Sequence, residues 1–340
     1  MKILSLFDGI SCARVALDKA GIPVDVYYAS EIDKYAEQVS HKNYPEIIRV
    51  GDVKTIHERF DIDEHFGGGI DLLIGGSPCQ DLSIAKKDRK GLDGERSGLF
   101  WEYVRILNEI KPKYFILENV ASMPKEAKDI ITKTLGVEPI MINAALVSAQ
   151  QRKRLFWTNI PNVELPQDKG ILLKDILESG DSERIKSYCI DASYYKGASW
   201  KQYKEKGRRQ LVIESKRIGQ FGAGGQGDRI YSIDGKSINL SANGGGRGAK
   251  TGLYAVALRN RGEGKKPEIG GEKANAMTTV QTDSMVMDNS IIRKLTPIEC
   301  ERLQGLSDNY TEGISNTQRY KCLGNAFNAD VIAHILKNIV

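Results

Sequence analysis

The first 160 residues alternate between short apolar runs and segments with helical periodicity. The apolar runs are Ile3–Phe7, Val26–Ala29, Ile47–Val50, Leu72–Ile74 and Tyr114–Leu117, each short enough for a buried parallel strand. The segment from Leu99 to Ile110 is one of the helical patterns between them, and Lys111-Pro112 ends it. This alternation predicts an α/β domain with a doubly wound, mostly parallel sheet.

Polar residues and glycines follow each of these runs directly. They are Asp8-Gly9, Glu31, Asp52, Ser77-Pro78-Cys79 and Glu118-Asn119. Ligands of open α/β sheets bind outside the carboxyl ends of the strands. The sequence therefore predicts one shared crevice that carries acids, a thiol and a glycine turn.

The composition of the chain changes near residue 165. The stretch 165–290 holds 19 of the chain's 34 glycines and only short apolar runs, with short strands predicted at Arg229–Ile233 and Ser237–Leu240. After it, a helix is predicted from Pro297 to Leu303, followed by a final helix with Phe327, Val331, Ile335 and Ile339 on one face. We therefore expect a catalytic domain at 1–164, a smaller, mostly β domain at 165–290, and a segment at 291–340 that returns to the first domain.

The positive charge of the chain is concentrated in the second domain. The net charge is +5, but residues 196–251 carry 12 Lys and Arg against 4 Asp and Glu. A local net charge of +8 favours nucleic acid or another polyanion as partner. A solvated basic loop is the alternative interpretation of the same charge.

Several classes of protein are excluded by composition. No apolar run approaches the ~18 residues of a membrane span, and Asp8 comes too early for a signal peptide. The five cysteines are odd in number and show no CxxC spacing, so neither a disulfide framework nor a zinc site is expected. No histidine has suitable spacing with a cysteine, and we expect no metal, in an intracellular protein.

Cys79 is the strongest catalytic candidate from residue chemistry alone. Gly75-Gly76-Ser77-Pro78 predicts a tight turn that presents its side chain at a strand end. Because only about 3% of an ordinary thiol is ionised at pH 7, a nucleophilic Cys79 needs an activating neighbour. Glu118, at the mouth of another strand, is a possible proton donor, although a helix cap or a salt-bridge acid is the alternative.

Two further patterns indicate a binding site. Glu31 follows Gly9 by 22 residues, near the offset at which an acid binds ribose hydroxyls, but the full GxGxxG is absent. A single glycine at this turn is compatible with a nucleotide-like cofactor that has no pyrophosphate, such as S-adenosylmethionine. Taken alone, the same pattern is also typical of an ordinary turn at the start of a helix. Arg152 and Arg154 share one face of an extended segment, where two guanidinium groups could bind a carbonyl or a phosphate. A solvent-exposed basic strand is the alternative interpretation.

The motifs together, in this order, closely resemble those of the C5-cytosine DNA methyltransferases. They are Gly76-Ser-Pro-Cys-Gln80, Glu118-Asn-Val120, Gln150-x-Arg152-x-Arg154, the segment 293–305 and Gly324-Asn-Ala326. Some details, such as Phe7-Asp-Gly-Ile10, resemble the branch of the animal de novo enzymes. Two departures are the single Gly9 in the first turn and Ala326-Phe327 where Ser-Val is common. The resemblance implies a Rossmann-like S-adenosylmethionine-dependent methyltransferase fold, with 165–290 as the target-recognition domain.

The resemblance also implies a role for each candidate residue. Cys79 would add to C6 of a cytosine flipped out of duplex DNA, Glu118 would donate a proton to N3, Arg154 would hold O2, and Arg152 would position the thiolate or the DNA backbone. The implied residues at S-adenosylmethionine are Phe7, Asp8, Gly9, Ile10, Glu31, Ile32, Asp52, Val53, Pro78, Leu99, Asn325 and Ala326. The implied residues at DNA are Gln80, Ser83 and Ile84, which would fill the gap left by the base, and Lys86, Arg89 and Arg247.

Two alternatives to a DNA methyltransferase stay open at this point. A related branch methylates a transfer RNA, but it typically has Pro-Pro-Cys and a short insert where this chain has Ser77-Pro78-Cys79 and 165–290. An inactive DNA-binding homologue would usually lack the nucleophile or the acid. We expect a monomer of prokaryotic or phage origin that acts on cytoplasmic double-stranded DNA, without a membrane, and with a cognate restriction endonuclease as a further partner.

Overall fold

A computed structural model describes most of residues 1–214 and 291–339 and short strands between them. The described residues are 1–56, 69–77, 98–180, 182–197, 200–214, 217–220, 229–232, 253–255, 258–259, 268–269 and 291–339. They form two compact units: Met1–Ile176, Ile185–Gln210 and Thr296–Val340 make the larger, and Leu177–Arg184 and Leu211–Leu295 the smaller. Because Ile185–Gln210 groups with the larger unit, the boundaries at 165 and 290 stay a prediction.

The larger unit alternates strands and helices in the predicted order. It begins with β1 (Lys2–Leu6), α1 (Cys12–Ala20), β2 (Val26–Ser30), α2 (Lys34–Asn43), β3 (Ile48–Arg49) and β4 (Leu72–Gly75). It continues with α3 (Leu99–Ile110), β5 (Tyr114–Val120), α4 (Lys125–Leu135), β6 (Ile140–Asn143), β7 (Lys153–Thr158), α5 (Leu173–Ile176) and α6 (Trp200–Lys204). The last helices are α7 (Pro297–Leu303), α8 (Asn316–Asn325) and α9 (Ala329–Leu336).

The strands of this unit form one seven-stranded sheet in the order β3-β2-β1-β4-β5-β7-β6. The pairs among β3, β2, β1, β4 and β5 are all parallel, whereas β7 pairs antiparallel with both β5 and β6. The predicted doubly wound, mostly parallel sheet is therefore confirmed. Its parallel strands bring the carboxyl ends of β1, β2, β4 and β5 to one edge, where the polar residues follow.

The core of the larger unit lies between the sheet and its helices. Leu4 and Leu73 of neighbouring strands pack with Tyr103 of α3, Ile131 of α4 and Trp157 of β7, all fully buried. Burial of each such side chain contributes about 1.5–3 kcal/mol. The core thus fixes the strands whose ends carry the candidate site.

Local signals set several helix ends as expected. α3 spans the predicted Leu99–Ile110 and ends at Lys111, whose φ of 47° is left-handed. α7 begins after Thr296, whose side chain accepts from the Glu299 amide while the Glu299 carboxylate accepts from the Thr296 amide. The predicted final helix is shorter than its apolar pattern, because Asn328 caps it and Phe327 lies before it.

The described residues of the smaller unit are mostly strands. They are β8 (Leu211–Glu214), β9 (Arg217–Gln220), β10 (Arg229–Ser232), β11 (Leu253–Ala255), β12 (Leu258–Arg259), β13 (Glu268–Ile269) and β14 (Ile291–Lys294). β14 pairs antiparallel with β8, and β10 joins β9 to β11. The strand predicted at 229–233 is confirmed over Arg229–Ser232, whereas residue 233 and the strand predicted at 237–240 lie outside the described residues. In both units, no described helix combines the length and apolarity needed to cross a bilayer.

Candidate active site

The turn after β1 has an unusual backbone. Phe7, Gly9 and Ser11 all have left-handed φ angles, of 56°, 61° and 60°. Between them, the buried Asp8 carboxylate accepts hydrogen bonds from Ser11 Oγ at 2.5 Å and from Tyr27 Oη at 2.6 Å. Burial raises the pKa of Asp8, and these hydrogen bonds oppose the rise. Asp8 therefore links this turn to Ser11 and to Tyr27 of β2.

Glu31, directly after β2, also binds this turn. Its carboxylate accepts from the backbone amides of Gly9, Ile32 and Asp33, each at 2.8 Å. Burial raises its pKa, while the three amide hydrogen bonds lower it. An ionised carboxylate accepts about four hydrogen bonds, so one position stays available for a ligand hydroxyl.

A cavity of about 290 Å³ lies at this edge of the sheet in the larger unit. This is close to the lower limit of ~300 Å³ for small-molecule pockets. Of the residues implied for the cofactor, the lining includes Phe7, Gly9, Ile10, Glu31, Ile32, Asp52, Val53, Leu99, Asn325 and Ala326. Asp8 is not among the lining residues, because its carboxylate is engaged below the turn, and Pro78 lies outside the described residues.

Two of the catalytic candidates form an ion pair at one end of this cavity. Arg154 Nε of β7 lies 2.7 Å from Glu118 Oε1 of β5, with side chains 17% and 13% exposed. The antiparallel register puts Arg154 opposite Val120 and thus beside Glu118 on the neighbouring strand. Both side chains line the cavity, so the site combines a carboxylate and a guanidinium.

Arg152 also lines the cavity, but its guanidinium points to the backbone. Its Nη2 donates to the Ala326 carbonyl at 2.8 Å, and its Nη1 donates to the Ile190 carbonyl at 3.2 Å. The Gly324 carbonyl accepts at 3.4 Å. Burial, together with the nearby Arg154 charge, lowers the pKa of Arg152. Arg152 thereby fixes the backbone on both sides of Asn325, which is exposed at the cavity.

Asn119 connects β5 to the segment that follows β4 through a hydrogen bond to Ser77. Its Nδ2 donates to Ser77 Oγ at 3.1 Å, and its Oδ1 accepts from the Val120 amide at 2.8 Å. Sequence reasoning did not single out Asn119 or Tyr27 as supporting residues. The signal for Asn119 was present, since a buried amide beside Glu118 needs partners.

The remaining site predictions fall on residues outside the described ranges. These residues are Pro78, Cys79, Gln80, Ser83, Ile84, Lys86, Arg89 and Arg247. Ser77, two residues before Cys79, is described and lines the cavity, as does Gly76. Among the described residues, no group of three or more His, Cys, Asp and Glu side chains is arranged to hold a metal.

Comparisons with known proteins agree on one family. A family model described as C-5 cytosine-specific DNA methylase matches residues 1–340. The type II methyltransferase M.HhaI of Haemophilus parahaemolyticus is 30% identical over 367 aligned positions that cover 100% of this chain and 94% of that protein. The orphan methyltransferase M.SPRI of Bacillus phage SPR is 26% identical, with 100% and 97% covered. The solved structure of Entamoeba histolytica methyltransferase EhMeth has a TM-score of 0.61 at 16% identity, with 99% and 97% covered.

Proposed function

The chain belongs to the C-5 cytosine-specific DNA methylase family, and on this premise we propose how its residues carry out the reaction of a DNA (cytosine-5-)-methyltransferase. The observation that carries the proposal is that one cavity is lined by Glu31, by the Glu118–Arg154 ion pair and by Ser77, two residues before Cys79. Acids at one end and a paired carboxylate and guanidinium at the other suit a cofactor and a base, respectively.

S-adenosylmethionine fits the residues that line the cavity. Ile32, which is 73% exposed, offers an apolar surface to an aromatic base, and the Asp52 carboxylate would accept from the amino group of that base. Glu31 would accept a ribose hydroxyl with its remaining acceptor position, and Phe7 and Leu99 would pack on the ring. When bound, this group supplies an electrophilic methyl group for C5.

The base would be activated at the other end of the cavity. The Cys79 thiolate forms a bond to C6, and the electron pair of the C5–C6 double bond moves into the ring toward N3 and O2. Glu118 holds a proton at N3, and the Arg154 guanidinium faces O2, so both stabilise the charge that develops there. After methylation, loss of the C5 proton and departure of the Cys79 thiolate restore the double bond.

Arg152 acts in this proposal as a positioning residue. Its hydrogen bonds to the carbonyls of Ala326, Gly324 and Ile190 use both terminal nitrogens. The guanidinium would therefore orient Asn325 and Ala326 toward the cofactor and leave the base to Arg154. Asp8 likewise supports the turn of Gly9 from below the cavity.

DNA would be held by residues outside the described ranges and by the smaller unit. A target base is not accessible in a stacked duplex, so it must be flipped out. We assign Gln80, Ser83 and Ile84 to the gap left by the base, and Lys86, Arg89 and Arg247 to phosphates. The excess of positive charge in residues 196–251 supports 165–290 as the target-recognition domain.

The relatives suggest the biological setting. One is a type II methyltransferase and another an orphan phage methyltransferase, so we propose that this chain modifies bacterial or phage DNA as a monomer. A type II role would add a cognate restriction endonuclease as partner. Expression beside a candidate nuclease gene, with survival as the readout, distinguishes the two roles.

Transfer of a labelled methyl group to duplex DNA tests the proposed function. We expect label at C5 of cytosine in duplex DNA and at most trace label in transfer RNA. Cys79→Ala should abolish transfer, and Cys300→Ala, which changes a buried cysteine of α7, should retain it. Preferential labelling of transfer RNA, or full activity of Cys79→Ala, would contradict the proposal.

A further inference from the structure

Neighbouring side chains and backbone restrict each residue from Gly75 to Ser77, where β4 ends. A Cβ atom on Gly75 would lie 3.1 Å from both the Leu6 carbonyl oxygen and Tyr103 Cδ2. A Cβ atom on Gly76 would lie 2.6 Å from Phe327 Cε1, which is closer than real Cβ contacts allow. Asn119 then holds Ser77 through its hydroxyl group. The backbone of Gly75–Ser77 therefore has little room to shift.

Phe327 packs against the Gly76 backbone and lines a small cavity together with Glu118. Its ring lies against Gly76, and the position of a Cβ atom there is also only 3.3 Å from Glu118 Oε2. The ring is buried, and together with Glu118 and Arg154 it lines a second, small cavity behind the carboxylate. Phe327 thus limits how far the Gly76 backbone can move toward its ring.

We propose that Phe327 is a positioning residue for the nucleophile. Its ring packs against Gly76 and limits the position of the Gly75–Ser77 segment, after which Cys79 follows in the sequence. The inference rests on the proposed role of Cys79 and extends it to a residue that touches neither base nor cofactor. Arg152 contributes to the same arrangement, because it fixes the Ala326 carbonyl directly before the ring.

Exchange of the C5 hydrogen of cytosine measures the nucleophilic step alone. In duplex DNA labelled with tritium at C5, Cys79 adds to C6, C5 takes a proton from solvent and loses the label, and the thiolate leaves again. No methyl donor is needed, so the rate at saturating DNA reports the position of Cys79 independently of cofactor binding.

The steric relation makes a specific prediction for a double variant. Gly76→Ala should slow exchange about 100-fold, the size of effect expected for a misplacement of about 1 Å. Adding Phe327→Val should restore at least about 10-fold of that loss, because it removes the ring atoms that the new methyl group meets. Gly75→Ala is the matched control: its methyl group meets Leu6 and Tyr103, so Phe327→Val should not rescue it.

Phe327 variants in an otherwise unchanged chain give a second measurement. Phe327→Val should lower the exchange rate about 5-fold at saturating DNA, with the KM for DNA within about 2-fold, and Phe327→Leu should recover most of the rate. Melting temperatures identify variants that fail to fold. If Gly76→Ala does not fold, the rates of these two variants decide.

The outcomes separate this inference from the proposed function. Exchange by the wild type that survives Cys79→Ala would overturn both. Where exchange depends on Cys79, full activity of Gly76→Ala overturns the positioning role alone. So does failure of Phe327→Val to rescue it, or equal rescue of Gly75→Ala. An unchanged exchange rate in Phe327→Val also overturns it.

Discussion

At the scale of single residues, the site depends on side chains that hold backbone rather than on those that face a ligand. Left-handed conformations at Phe7 and Ser11 each cost about 1–3 kcal/mol, and hydrogen bonds to Asp8 and Glu31 offset that cost. Sequence reasoning identified Glu31 from its distance to Gly9. The resemblance implied Asp8 as a cofactor residue, and in the structure its carboxylate accepts hydrogen bonds from Ser11 and Tyr27.

Cofactor affinity should depend on pH through Glu31. Its ionised form accepts the amide hydrogen bonds and would accept the ribose, so protonation weakens binding. Because burial raises its pKa above the ordinary 4.5, affinity should begin to fall at a higher pH than for an exposed glutamate. Calorimetric titration with S-adenosylhomocysteine between pH 5 and 8 measures this dependence.

Glu31→Gln should remove most of that pH dependence and weaken binding about 10- to 100-fold at pH 8, since its amide group places a donor against backbone donors. Glu46→Gln, an exposed glutamate near α2, is the control and should behave as wild type. A pH profile of Glu31→Gln that matches the wild type would show that another group controls binding.

Removal of the Arg152 guanidinium should destabilise the larger unit. Arg152→Met removes the guanidinium that donates to the buried carbonyls of Ala326 and Ile190, at a cost of about 2–5 kcal/mol in the free energy of unfolding. Urea denaturation measures this cost. Lys153→Met, at an exposed neighbouring position, should change the free energy of unfolding by less than about 0.5 kcal/mol. Equal stability of both variants would remove the positioning role of Arg152.

At the scale of elements, the parallel strands decide where the site forms. Runs such as Leu72–Ile74 predicted strands because parallel strands are buried on both faces and read as continuous apolar segments. The antiparallel direction of β7 was not predictable, because strand pairing depends on contacts between distant segments. That direction matters, since it puts Arg154 beside Glu118. The predicted apolar face from Phe327 to Ile339 extends past α9, because the Asn328 side chain accepts from the Val331 amide and begins the helix there.

The last helix should contribute strongly to the stability of the cofactor cavity. α9 packs against α1, and Ile335 on its buried face is fully enclosed. Ile335→Ala should lower the free energy of unfolding by about 2–5 kcal/mol, whereas Lys337→Ala at an exposed position should change it little. Thermal melting with and without S-adenosylhomocysteine measures both. A melting temperature of Ile335→Ala equal to that of Lys337→Ala would contradict the packing.

At the scale of the whole molecule, the candidate site lies in the larger unit, whereas the basic stretch 196–251 is shared by both units. The larger unit holds the cavity with its acids and the Glu118–Arg154 pair. The basic stretch 196–251 has a net charge of +8, which supports phosphate attraction, but six of its Lys and Arg and one of its Glu lie in residues 196–210 of the larger unit. The boundary predicted at residue 165 assigns all of this charge to the smaller domain, and that assignment stays a prediction. The DNA sequence that is recognised was not predictable, because it depends on which side chains reach base edges.

Covalent trapping tests the central claim most directly. Fluorine at C5 cannot leave as a proton does, so duplex DNA with 5-fluorocytosine should stop the reaction after methyl transfer. We predict a one-to-one complex of protein and DNA that survives denaturation and carries the labelled methyl group. Cys300→Ala should form it, and Cys79→Ala should not. A stable adduct in Cys79→Ala, or none in a wild type that methylates ordinary duplex DNA, would contradict the account.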